Sequence, residues 1–245
     1  MGKDIPILFD DDFLMVFDKP AGCLVIPSPK QSTNTLTELV NRLYHPARGR
    51  LHPCHRLDRE TSGVIIYAKG KRLQGLMMEL FHKRQVSKTY VAFVRGRLRQ
   101  SRGHIQGAVQ DYWNRRHHRR PSAKHTAKSA ITDYYRVAAA DAFSVVEVIP
   151  RTGRTNQIRI HFRKIGHPLL GERVYAYRKD FGMDFRRLAL HAYQITFRHP
   201  VTHRPLRVVA GLPADMREFL RSFRNGAAVC RRFGPRGQRK FYRDP

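Results

Sequence analysis

The sequence predicts an α+β fold, a mixed and largely antiparallel sheet flanked by short helices. Two observations carry this. Short β-branched runs alternate with brief stretches of helical spacing rather than with long crossover helices, and several strands meet in hairpin signals. Ile7 to Phe17 holds two apolar runs around Asp10-Asp11-Asp12, an edge strand pair that ends at Lys19-Pro20-Ala21-Gly22. Leu36, Leu39, Val40 and Leu43 fall at helical spacing within Thr35 to Tyr44, with Thr33 or Asn34 available as the cap. Val64 to Ala68 reads as a buried strand, Gly75 to Phe81 as a second helix, and Tyr90 to Val94 as a strand closed by Gly96.

Further along, Asn114 to Lys128 is charge-dense, almost free of aliphatic residues, and reads as a loop. Ile131 to Val137 and Phe143 to Ile149 pair as strands, and Asn156 to Lys164 forms a short helix with Ile158 and Phe162 inward. Leu188 to Phe197 and Leu206 to Val209 make a hairpin around Pro200 to His203, and Pro213 to Phe223 closes the fold as a helix. A single domain over residues 1–224 is expected, with residues 225–245 a basic, mobile tail. No solenoid-type repeat is present.

Charge narrows the partners. Lys and Arg number 47 against 19 Asp and Glu, a formal net charge of +28. Such an excess repels itself unless a polyanion neutralises it, which makes nucleic acid the first candidate. An anionic membrane comes second, but no long apolar run or basic amphipathic helix supports it. Cys23, Cys54 and Cys230 are scattered and odd in number, which suggests neither a disulfide framework nor a cysteine zinc site and fits a reducing cytoplasm. Met1 to Pro6 has no apolar signal-peptide core. A cytoplasmic protein is expected, with no membrane association and no obligate protein partner, and a monomer.

The densest chemistry lies in His55-Arg56-Leu57-Asp58-Arg59-Glu60-Thr61-Ser62-Gly63. Asp58 stands before turn residues at the mouth of a strand, and the charge of Arg56 and Arg59 favours its ionised form. An Asp that only ties down the turn is the simpler local explanation. A second constellation is Arg151-Thr152-Gly153-Arg154, followed by Gln157-Ile158-Arg159-Ile160-His161. Arg154, Arg159 and the helix N-terminal amides form an anion-binding corner, for a phosphate or for the Asp58 carboxylate. Arg159 sits between apolar positions, and an Arg so placed needs a carboxylate partner. His161, His191, His199 and His203 match no metal-ligand spacing, and no nucleotide-binding glycine motif occurs. No metal or cofactor is implied.

Together these motifs resemble those of RNA pseudouridine synthases, in the RluA-type branch that modifies ribosomal and transfer RNA. Lys19-Pro20-Ala21-Gly22, His55 to Asp58 with Thr61-Ser62-Gly63, Lys88-Thr89-Tyr90 with Gly96, Thr152 to His161, and Leu188 to Ala192 with His199-Pro200 follow the family order. Two departures are visible. Asn156 stands where His is usual, and Gly171-Glu172-Arg173-Val174-Tyr175-Ala176 stands where a Gly-Asp motif is usual; neither is read as a catalytic position. The small basic N-terminal RNA-binding domain of many relatives is not seen, and the basic tail is expected to supply nonspecific RNA affinity instead.

The resemblance implies the pseudouridine synthase fold and isomerisation of a uridine in rRNA or tRNA without cofactor. It implies Asp58 as the catalytic carboxylate, Arg159 as its charge partner, and Tyr90 stacked on the flipped uracil. Arg56 is implied to enter the space that the base leaves. His55, Lys88, Arg154 and Gln157 are expected to contact RNA, as are Arg115, Arg116, Arg119 and Arg120 of the charged loop. A noncatalytic RNA-binding protein of the same fold would explain the charge equally well, but Asp58, Tyr90 and Arg159 are all present. A metal-dependent nuclease would want clustered carboxylates, and these are sparse and dispersed.

Overall fold

The structure, a computed structural model, describes residues 4–28, 33–44, 49–109, 128–175 and 185–234. Where the sequence suggests one domain through residue 224, the chain gathers into two compact units. One comprises Met1–Tyr90 with Leu190–Pro245, the other Val91–Ala189.

The first unit is built on a mixed sheet. β1 (Ile7–Asp10), β2 (Leu14–Lys19), β4 (Ser62–Lys69), β9 (Leu190–Arg198) and β10 (Pro205–Val209) lie in that order, with β3 (Leu51–Pro53) added on β4. All of these pairs are antiparallel except β4 and β9, which run parallel where Ser62 meets His191 and Gly63 meets Ala192. β4 is apolar on both faces because both are covered. Val64, Ile66 and Ala68 pack with Met77 of α2 (Lys71–His82). Ile65 and Tyr67 pack with Leu36 and Val40 of α1 (Leu36–Leu43). The period of two thus places two helices on opposite faces of one strand. The cap of α1 is Thr35, not Thr33 or Asn34: its hydroxyl accepts from the Glu38 amide while Glu38 reaches back to the Thr35 amide.

The second unit is an antiparallel meander of β6 (Arg102–Val109), β7 (Lys128–Ala139) and β8 (Phe143–Pro150). Onto it packs α3 (Gln157–Lys164), through Ile158, Ile160 and Phe162, the last 5.4 Å from the Tyr134 ring. β6 is not evident in the sequence. Only Ile105 and Val109 of it are buried, and Gly103 leaves room for the Tyr134 ring where a Cβ would lie 2.4 Å away. β5 (Ser87–Arg95) starts in the first unit and ends in the second.

The hairpin of β9 and β10 follows the sequence expectation. Its turn is held by His199, whose Nδ1 accepts from the amides of Val201 and Thr202. After it come α4 (Ala214–Arg221) and α5 (Gly226–Arg232). The second of these places a helix in the first part of the tail expected over residues 225–245, of which residues 235–245 lie outside the described residues. Val229 and Phe233 are buried at a spacing of one helical turn, a short apolar stripe set among the arginines. No helix of the described residues is long and apolar enough to cross a membrane.

Candidate active site

Asp58 stands on the turn between β3 and β4, and its placement is set by a chain of backbone contacts. The Thr61 amide donates to the Asp58 carbonyl at 3.1 Å, closing the turn. Leu57 is buried in the core beside Asp58, while Arg56 is exposed.

Three braces hold this turn. Lys19, fully buried at the end of β2, donates from Nζ to the carbonyls of Pro20 (2.9 Å), Cys23 (2.7 Å) and Arg59 (3.1 Å). A buried ammonium is tolerated because it is ringed by acceptors, and one of them is the carbonyl of the residue after Asp58. The Gly22 amide donates to the same Arg59 carbonyl at 2.8 Å, and Arg59 Nε donates back to the Gly22 carbonyl at 3.1 Å. Arg59 therefore ties the Lys19 to Gly22 segment to the Asp58 turn. On the far side, Gly63 has φ +111° and lies against Ala192, where an added Cβ would be 2.2 Å from the carbonyl oxygen. Only glycine fits there.

Ser62 Oγ and His191 Nδ1 lie 2.9 Å apart, and His191 Nε2 faces the Ala210 carbonyl at 3.1 Å. That carbonyl only accepts, so Nε2 carries the proton and Nδ1 accepts from the serine. The two sequence motifs that contain these residues are thus joined by a buried hydrogen bond, and His191 has a structural use.

Tyr90 lies on β5 and packs against the cluster of Leu57, Ile65 and Ala192. Burial, with the nearby charge of Asp58 adding, holds its phenol well above the ordinary value, so the ring stays neutral. Tyr90 shares a recess with His55, Lys88 and Gln194. Burial lowers the Lys88 ammonium below its usual value.

His55 bears on an expectation. Its Nε2 accepts the Ile66 amide of β4 at 3.1 Å, and its ring lies 4.9 Å from Phe81. Burial, with Lys88 adding, pushes its imidazole to about 3. It is a neutral strut for the segment leading to Asp58.

In the second unit, Gln157 corrects another. Only 3% exposed, it uses its whole amide within the protein. Oε1 accepts from Thr152 Oγ1 at 2.6 Å and from the Arg154 amide at 3.1 Å; Nε2 donates to the Ile131 carbonyl and to Thr132 Oγ1. It clamps the Thr152 to Arg154 turn and leaves Arg154 exposed. Arg159 has the carboxylate its setting demands, Glu172, with Nε to Oε2 and Nη2 to Oε1 both at 2.7 Å. Its Nη1 donates to Asn156 Oδ1 at 2.9 Å, and its guanidinium lies 4.8 Å from the Tyr175 ring centre. Burial alone would raise the Glu172 carboxyl, but Arg159 and the amides of Val174 and Tyr175 hold it below the ordinary value. Both departures from the family pattern, Asn156 and Glu172, therefore meet on one guanidinium. Arg115, Arg116, Arg119 and Arg120 lie outside the described residues.

A braced turn that carries Asp58, with the neutral, partly buried phenol of Tyr90 nearby, thus lies on a mixed, largely antiparallel sheet. The family described as RNA pseudouridylate synthase matches residues 13–164, which include Asp58, Tyr90 and Arg159. Ribosomal large subunit pseudouridine synthase D of Xylella fastidiosa is 36% identical over 93% of this chain and 72% of its own. Dual-specificity RNA pseudouridine synthase RluA of Yersinia pestis is 35% identical over 82% of this chain and 95% of its own. Among solved structures, Human RNA Pseudouridylate Synthase Domain Containing 1 aligns with a TM-score of 0.71 at 25% identity, over 87% of this chain and 86% of its own. The chain belongs to the RNA pseudouridine synthase family, in its RluA-type branch, and is an isomerase of uridine in RNA.

Proposed function

We propose that this chain converts one or more uridines of folded ribosomal or transfer RNA to pseudouridine, with Asp58 as the catalytic carboxylate. The reaction breaks the bond between uracil N1 and the ribose, turns the base over, and joins C5 to the same sugar carbon. The proton on C5 is lost and N1 gains one, so the atoms balance without cofactor. A target inside a stem must first leave the stack, at a cost of a few kcal/mol.

The observation that carries the reading is the fixing of Asp58. Lys19, Gly22 and Gly63 hold the turn on both sides, so the backbone that carries the carboxylate is fixed in advance. Tyr90 serves as the face on which the uracil stacks; a phenol kept protonated by burial and by Asp58 suits that role. Arg159 is assigned as the charge partner of Asp58 on the family resemblance. Arg56, exposed two residues before Asp58, is assigned to fill the vacated place in the RNA stack. Lys88, in the recess with Tyr90, offers its ammonium to the nucleotide, and exposed Arg154 offers a guanidinium to a phosphate.

The test is a map of pseudouridine in ribosomal and transfer RNA from cells with and without the gene. Loss of particular sites on deletion, restored by the wild-type chain, is the expected result. Identical maps would overturn the proposal.

A further inference from the structure

The helical hairpin that follows β10 is pinned firmly to the first unit. The Phe233 ring meets Tyr193 of β9 edge-on at 5.0 Å, and its carbonyl accepts the Leu212 amide at 3.0 Å. Gly226 lies so close to Leu220 that an added Cβ would be 1.7 Å from its carbonyl oxygen. Met216, Leu220, Val229 and Phe233 are buried beneath the pair.

Its outer surface is different. Arg221, Arg224 and Arg231 are exposed, and no hydrogen bond or ion pair to their side chains occurs among the described residues. Residues 214–234 contain only Asp215 and Glu218 as acids, and Asp215 accepts from the Met216 amide. Five arginines against these two acids leave an excess of positive charge, which is best accommodated where a polyanion neutralises it. The remaining basic residues, Arg236 to Arg243, continue the same charge along the chain.

We propose that the α4–α5 hairpin is a docking surface for RNA backbone phosphates outside the target nucleotide. The inference rests on the proposed action on folded RNA and adds a place where duplex flanks are gripped without regard to sequence. A guanidinium donates to two phosphate oxygens at once, and a fixed helical support spares part of the ordering cost of a loose basic tail.

The probe is an RNA duplex of G·C pairs only, which contains no uridine to isomerise. Its binding is followed by fluorescence anisotropy over a series of salt concentrations. Each phosphate contact contributes a slope of about 0.7–0.9 in log Kd against log salt. Replacing Arg221, Arg224 and Arg231 together by Gln is expected to lower the slope by about 2–3. The corresponding Lys variants should keep the wild-type slope, and each single Arg→Gln variant should lower it by a little under 1. Turnover at saturating folded RNA should stay at the wild-type level in all of them. A slope unchanged by the Gln substitutions would overturn the proposal. So would a dependence on these arginines found only for phosphatidylserine vesicles. If the wild type grips the duplex through these arginines but makes no pseudouridine in any RNA, the proposed function fails while the docking surface stands.

Discussion

Arg159 forks onto Glu172 with two hydrogen bonds of 2.7 Å, and the side chains of this pair are only 13% and 1% exposed. At that depth the pair is kept by geometry. Each charge would be costly to bury alone, and the second carboxylate oxygen also accepts the amides of Val174 and Tyr175. Glu172 therefore shapes both the guanidinium and the turn that follows it.

Glu172→Ala leaves the Arg159 charge without this carboxylate and should cost about 3–5 kcal/mol in urea unfolding at neutral pH. The pH dependence has a definite sign. The folded-state pKa of Glu172 lies below its ordinary value of 4.5. Its contribution is present above about that pH and is lost as pH falls through the folded value. The gap between wild type and Glu172→Ala should narrow in acid. A constant gap would contradict the assignment.

Lys19→Met removes three donors from carbonyls that hold the Asp58 turn. Stability should fall by about 2–4 kcal/mol, and kcat should fall more than KM rises. Lys19→Arg should restore little of either, because a planar guanidinium cannot aim donors at the same three carbonyls as the ammonium does. A variant with wild-type kcat would remove Lys19 from the account of how Asp58 is placed.

Asp18, one residue earlier on β2, titrates in the opposite sense to Glu172. Burial raises its carboxyl from 3.8 to about 6. The folded chain holds that proton more tightly than the unfolded chain, so stability falls between about pH 4 and pH 6, and the penalty persists above. Asp18→Asn should therefore raise Tm near neutral pH, by no more than about 2–3 kcal/mol of stability, and change little near pH 4. Destabilisation at neutral pH would show instead that the ionised carboxylate is needed.

The sequence made parts of this structure legible because the signals were local. β4 declared itself by an unbroken apolar run, the β9–β10 hairpin by its turn residues, and Asp58 by its place before Thr61-Ser62-Gly63. What stayed hidden depends on partners distant in the chain. Lys19 reads as part of a loop motif until Arg59, forty residues on, supplies its acceptor. Glu172 reads as a mild departure from a motif until Arg159 turns toward it. Gln157 has the composition of an RNA contact, yet burial takes up its polar atoms within the protein. β6 carries two apolar anchors, Ile105 and Val109, and α5 carries Val229 with Phe233 just past its end, too few to show a period among glycines and arginines.

The most direct test of the central claim is the turnover of Asp58→Asn. The exchange keeps the shape of the side chain and removes the charge, and it leaves untouched the backbone hydrogen bonds that fix the turn. The purified variant is given RNA carrying tritium at uracil C5, whose release reports the proton lost when C5 joins the sugar. Release is expected from the wild type, with none above background from Asp58→Asn and nearly equal RNA affinity for the two. Tritium release by Asp58→Asn at the wild-type rate would contradict the role of Asp58.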